Sequence, residues 1–205
     1  MQILGISGSL REGSLNSQLL DSASRVLPAD AELVPLETEL LRALPHYDED
    51  LDGSALDDQN VRRLRELVAG ADAILWVTPE YNGGVPSAIK NALDWVSRPK
   101  GEGAVQGRPS AVISASTGAY GGVWAQDHLR KSLAIAGARV IDAEFAIAKA
   151  HELKEQHGDV LAAENEPALA EILERLTEEA RINAALARER SAQKEQAGQT
   201  EQAVA

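Results

Sequence analysis

One stretch constrains the fold of this chain more than any other. Asp72–Thr78 reads Asp-Ala-Ile-Leu-Trp-Val-Thr, an apolar run without polar alternation, and a loop rich in proline and glycine joins it to Val85–Val96. An uninterrupted apolar strand must be covered on both faces, which is the condition of a parallel sheet. In Val85–Val96 the residues Val85, Ala88, Ile89, Ala92, Leu93 and Val96 recur with the 3.6-residue period of a helix. A doubly covered strand followed by such a helix is half of a βαβ unit. The alternation continues in both directions. Strands are expected at Gln2–Ile6, Glu32–Leu36, Ser110–Ala115 and Arg139–Ala148, and helices at Ser14–Leu27, Val61–Ala69, Val123–Ala136 and from Ala168 to about Arg188.

Five strands joined by right-handed crossovers form either a flavodoxin-like sheet or a truncated Rossmann sheet. Residues 1–190 are read as one domain. From Ser191 to Ala205 the chain turns to Gln, Ala, Glu and Gly and is expected to form a disordered tail. A net charge of −12 argues against nucleic acid and anionic membranes as partners. The absence of cysteine excludes disulfides, iron–sulfur clusters, thiolate metal sites and a cysteine nucleophile. No apolar run reaches the roughly 20 residues of a membrane span, and the first residues lack the basic start of a signal peptide, so the expected location is cytoplasmic.

Ligands of open α/β sheets bind beyond the carboxyl ends of the strands. The first such loop, Ser7–Ser17, sets hydroxyls, Asn16 and the lone cation Arg11 directly before a helix. That is a setting for an anion, with a capping turn on Ser14 or Ser17 and a solvated Arg11 as the alternative. Neither a Walker A loop nor a dinucleotide fingerprint is present, because Ser14-Leu15 replaces Lys-Ser/Thr and Gly5/Gly8 gives only G-x-x-G. The second loop, Thr78–Ser87, can present backbone groups to the edge of a planar heterocycle or serve as a rigid connection with Asn82-Gly83 as its turn. The third, Ser114–Gly122, again mixes hydroxyls with glycine. Three such loops on one edge point to a ligand.

These segments carry a specific resemblance. Gly8-Ser9-Leu10-Arg11-x-Gly13-Ser14-x-Asn16, the run from Pro79-Glu80-Tyr81-Asn82 through Pro86 and Lys90-Asn91-Ala92 to Asp94-Trp95, and Ser116-x-Gly118-x-x-Gly121-Gly122 are similar to the NADPH-dependent FMN reductase family. Leu44-Pro45-x-Tyr47-Asp48 adds to the likeness, which covers residues 2 to about 148. The resemblance implies a flavodoxin-like parallel sheet of order 2-1-3-4-5, FMN as cofactor and NADPH or NADH as donor. It implies ping-pong hydride transfer to flavin N5 and on to a quinone, free flavin, azo compound or metal oxyanion. Ser9, Arg11, Asn16 and Ser17 would hold the phosphate. Pro79, Glu80, Tyr81, Asn82 and Gly83 would line the ring, with Ser116, Thr117 and Gly118 on its other side. No catalytic side chain is implied, and a homodimer or homotetramer is. The competing reading is a flavodoxin-type electron carrier without NAD(P)H turnover.

Other motifs give way to simpler readings. Asp48-x-Asp50-x-Asp52-Gly53 opens like an EF-hand loop, but Gln59 stands where the bidentate Glu belongs, so no metal is expected. Ser116 lacks the G-x-S-x-G elbow of a hydrolase. The four histidines show no metal-ligand spacing.

Overall fold

The computed structural model describes the backbone of residues 1–52 and 58–204, and side chains through residue 189. Gly53 and the rest of 53–57, within the expected acidic loop, lie outside the described residues, as does Ala205. Strands β1 (Gln2–Ser7), β2 (Glu32–Pro35), β3 (Ala73–Val77), β4 (Pro109–Ala115), β5 (Arg139–Val140) and β6 (Ala146–Ile147) form one parallel sheet of order β2-β1-β3-β4-β5, with β6 also on β4. Between them run α1 (Leu15–Ala23), α2 (Thr38–Ala43), α3 (Gln59–Gly70), α4 (Ser87–Val96), α5 (Val123–Ile135), α6 (Ala150–His157) and α7 (Glu166–Val204). The order is the flavodoxin-like one.

Every residue of β3 is buried, as its unbroken apolar run requires. Because side chains alternate along a strand, the sheet feeds two cores. Ala73, Leu75 and Val77 face α1 and α7, where Leu19, Leu169 and Leu173 complete the packing. Ile74 and Trp76 face α3, α4 and α5, with Leu64, Ile89, Leu93 and Leu129. Trp76 Nε1 finds a hydroxyl at Ser110, so the buried indole is not left with an orphan donor.

Three expectations need correction. The fifth strand is split. From Pro109 to Ser114 is five residues on β4, but from the paired Arg139 to the paired Ala146 is seven. The surplus bulges out at 142–144, where the carbonyl of Asp142 accepts from Arg175 at 3.0 Å and that of Ala143 from Arg130 at 2.6 Å. Two short helices, α2 and α6, stand where no helix was expected, because six or eight residues carry too little periodicity to read. The last helix does not end near Arg188 but continues to Val204, through the stretch expected to be a disordered tail. Ala, Gln, Glu and Lys dominate that stretch and are strong helix formers, so helix there needs no core contact.

The acidic loop also has a structural role. Asp52 Oδ1 accepts from Arg65 on α3 at 2.7 Å, while Arg65 donates to the carbonyl of Trp95 and lies over its ring. The first carboxylate of the EF-hand-like run, Asp48, is turned onto the amide of Asp50. Among the described residues no cluster suited to a metal ion is present, and no helix is long and apolar enough to cross a membrane.

We propose that Ser191–Ala205 is dispensable, since Val204 is its only apolar side chain larger than Ala. Deleting it is expected to leave the thermal midpoint unchanged. Leu173→Ala, which empties a fully buried position on the same helix, is expected to lower stability by about 2–5 kcal/mol in urea denaturation.

Candidate functional site

Strands β1, β3 and β4 are neighbours in the sheet, so the loops that leave their carboxyl ends emerge side by side. They enclose one cleft of ≈ 270 Å³. The first loop contributes Ser9, Arg11, Ser14, Leu15 and Asn16. The second contributes Pro79, Glu80 and Tyr81, and the third Ala115, Ser116 and Thr117. Larger grooves exist, of ≈ 540 Å³ between α4 and α5 and ≈ 530 Å³ beside β2, but they do not lie where the strand ends converge.

The first loop combines satisfied and unsatisfied groups. Ser14 is the N-cap of α1: its Oγ accepts from the amides of Asn16 at 3.2 Å and Ser17 at 3.3 Å. That settles the alternative between Ser14 and Ser17. Ser17 instead shares a 3.0 Å hydrogen bond with Ser7 and does not line the cleft. Ser9 is only 4% exposed, yet among the described residues its hydroxyl has no hydrogen-bond partner. Within the same limits the amides of Ser9, Leu10 and Arg11 donate to nothing, and the exposed Arg11 has no carboxylate partner. A cation, a hydroxyl and three amides with free donors at the start of a helix are suited to an anion.

Asn16 is otherwise engaged. Its carboxamide donates from Nδ2 to the carbonyl of Ala115 at 2.8 Å and accepts from the Ala115 amide at 2.9 Å, with all four atoms buried. It therefore copies a backbone partner for the last residue of β4 and ties the first loop to the third. Glu80 is similarly committed, its Oε2 accepting from the Ala125 amide in the first turn of α5 at 3.0 Å. A carboxylate there is favoured by the free N–H groups of the helix start. Both residues line the cleft, but with these side-chain atoms turned to the scaffold.

Asn82 and Gly83 form the turn anticipated from their pairing. Tyr81 and Gly84 exchange two backbone hydrogen bonds of 3.1 Å, and the two residues between them have φ of 53° and 70°. A positive φ at both central positions is what a two-residue hairpin of this twist requires. They stand exposed at the rim and do not line the cleft, whereas Tyr81 does and is 56% exposed. In the third loop Ser116 Oγ accepts from the Gly118 amide at 3.1 Å. The loop is anchored from behind. The Ser116 amide donates to Ile147, and the carbonyls of Ser116 and Gly118 accept from the amides of Ala150 and Lys149. Lys149 adopts a positive φ of 49° to make this fit. Gly118, like Ser17, lies outside the cleft lining.

The reading of the sequence missed this anchor and the aromatic residues Tyr120 and Trp124 beside it. A tryptophan two residues after the Gly121-Gly122 pair, at a helix start, was the available signal. Asn16→Ala should strip both hydrogen bonds from the buried Ala115 backbone. The expected loss is about 2–6 kcal/mol in urea denaturation, at about 1–3 kcal/mol per stranded group.

The family profile of NADPH-dependent FMN reductases matches residues 1–152. An NAD(P)H-dependent FMN reductase of Pseudomonas aeruginosa is 41% identical over 133 residues, covering 65% of this chain and 69% of that protein. A 2-hydroxy-1,4-benzoquinone reductase of a Burkholderia species is 39% identical over 130 residues, 63% and 68% of the two chains. Among solved structures, the flavoenzyme NAD(P)H:(acceptor) oxidoreductase of Paracoccus denitrificans superimposes with a TM-score of 0.76 at 31% identity, over 89% of this chain and 98% of that one.

Proposed function

The chain belongs to the NADPH-dependent FMN reductase family, and on that premise we propose that it uses NAD(P)H to reduce a small acceptor in a ping-pong cycle over FMN held in the strand-end cleft. When bound, FMN supplies the electron transfer, accepting two electrons and a proton from NAD(P)H and delivering them to the acceptor. Quinones are the first acceptor class to consider, because the similar Burkholderia and Pseudomonas putida proteins are quinone reductases. A cytoplasmic homodimer or homotetramer is part of the same reading.

The observation that carries the proposal is the set of donors at the first loop that have no partner among the described residues: Ser9, Arg11 and the amides of Ser9–Arg11. They fit a phosphate monoester, the one group that distinguishes FMN from riboflavin. Asn16 and Ser17 act one step back, keeping the loop in the shape that presents those donors. Pro79–Gly83 and Ser116–Gly118 flank the cleft with backbone groups and hydroxyls, which suit the hydrogen-bonding edge of a flavin ring. No side chain is assigned as acid or base. The protein's task is to bind, to orient and to leave one face open to each substrate in turn.

FMN is expected to bind far more tightly than riboflavin. Arg11→Ala should weaken FMN binding by about 1.5–3 kcal/mol, the range for hydrogen bonds to a charged group, measured by flavin fluorescence titration. Equal affinity for the two flavins would remove the phosphate site. Steady-state kinetics with NADPH and a quinone should give parallel double-reciprocal lines and competitive substrate inhibition by quinone. Intersecting lines would require a ternary complex and defeat the shared opening, while leaving the cofactor assignment intact.

A further inference from the structure

The middle of the first loop is held by one side chain from far along the sequence. At the start of the loop the Gly8 amide donates to the carbonyl of Val77 at 2.8 Å, and a side chain on Gly8 would meet Ile89 of α4 at 2.8 Å. At its end the Gly13 carbonyl accepts from Gln18 Nε2 at 3.0 Å, and Ser14 caps α1. Between these points the Leu10 carbonyl accepts from Arg42 Nη2 at 2.7 Å. Among the described residues this is the one hydrogen bond that ties residues 9–12 to another element. Arg42 stands in the last turn of α2, where its Nε also donates to Glu39 Oε1 at 3.3 Å. It does not line the cleft.

That bond matters because of what lies at the other end of the peptide. The Leu10–Arg11 peptide is trans, and a trans peptide points its C=O and N–H in opposite directions. The Leu10 side chain packs on the core that includes Leu41 and Leu44, whereas Ser9 and Arg11 on either side of it line the cleft. With the Leu10 carbonyl drawn to α2, the Arg11 N–H is turned away from α2. Among the described residues that N–H has no acceptor, so no other hydrogen bond opposes a flip of this peptide. A cation on the carbonyl also polarises the peptide and strengthens its N–H as a donor.

We propose that Arg42 is a positioning residue for a phosphate monoester: by fixing the Leu10 carbonyl it presents the Arg11 amide to the phosphate of FMN, and so sets the preference for FMN over riboflavin without touching either. The proposal rests on the reading of the first loop as the phosphate site. Successive amides aimed at one point form a concavity for an anion, and the fit depends on each amide keeping its direction. The two arginines then have separate tasks. Arg11 brings a charge to the cleft, and Arg42 keeps the main chain beside it in the orientation that an anion needs.

The Arg42 side chain is half-exposed, so replacing it empties no core position. Arg42→Met is to be compared with wild type by titrating the flavin-free protein with FMN and with riboflavin, read by flavin fluorescence. The FMN dissociation constant should rise roughly three- to tenfold, as for one lost hydrogen bond, while that of riboflavin changes by less than about twofold. Arg42→Lys, which still offers a donor to the carbonyl, should recover most of the difference. The ratio of mutant to wild-type FMN constants should hold from about 0.05 M to about 0.5 M salt, because a hydrogen bond is not screened as a distant charge is. A ratio that falls toward one at the higher salt overturns the proposal, since Arg42 would then act by its charge alone. An equal rise for both flavins overturns it as well, the residue then merely supporting the wall of the cleft, and so does an unchanged FMN constant. Equal affinities for the two flavins in the wild type would defeat the phosphate reading itself, and the proposal would fall with it.

Discussion

A parallel sheet covered on both faces has no wet surface along its length. Each strand must satisfy its backbone within the ladder and bury both rows of side chains, so polar chemistry can appear only where strands end. In this chain β3 obeys the rule without exception, all five of its residues being buried. Everything that can meet a ligand follows from it. The loops after β1, β3 and β4 are adjacent because the strands are, and they carry the hydroxyls, the lone arginine and two exposed tyrosines, Tyr81 and Tyr120.

The division of labour among these residues differs from what their chemistry alone suggests. Asn16 and Glu80 look like ligand-binding groups, polar and at the right loops. Both are used to lock the scaffold, Asn16 by joining β4 to the first loop and Glu80 by seating the second loop on α5. The groups left with spare donors are less conspicuous: Ser9, three main-chain amides and Arg11. Rigid polar bridges of this kind make a cleft preorganised, because the loops need not be ordered when a ligand arrives.

Much of this was legible in the sequence, for reasons that can be located. The central strand was plain because its apolar run is unbroken, α4 because it is long enough to show its period, and the Asn82-Gly83 turn because so few residue pairs accept its backbone. The first loop was legible as an anion site or a cap, and the cap is there, with Ser14 in that role. The two-residue surplus between β5 and β6 was not legible. Arg139–Ala148 has strand composition throughout, and only its pairing with β4 shows where register is lost. The partners of Asn16 and Lys149 were equally hidden, since each contact joins segments distant in the chain. Trp124 was overlooked because its exposure depends on how α5 is seated.

The bulge between β5 and β6 has a bearing on how copies of this protein can meet. An outer strand with a continuous ladder offers another chain a template for strand addition. Here that border consists of two dipeptide pairings separated by a looped-out segment whose carbonyls at 142 and 143 are already taken by arginines. The opposite border, β2, is four residues long and ends in a proline, which has no amide hydrogen to donate. Both borders of the sheet are thus poor templates, and runaway sheet extension in a crowded solution is blocked at each. Contacts between copies are left to helices and loops, whose side chains can be selective about what they accept.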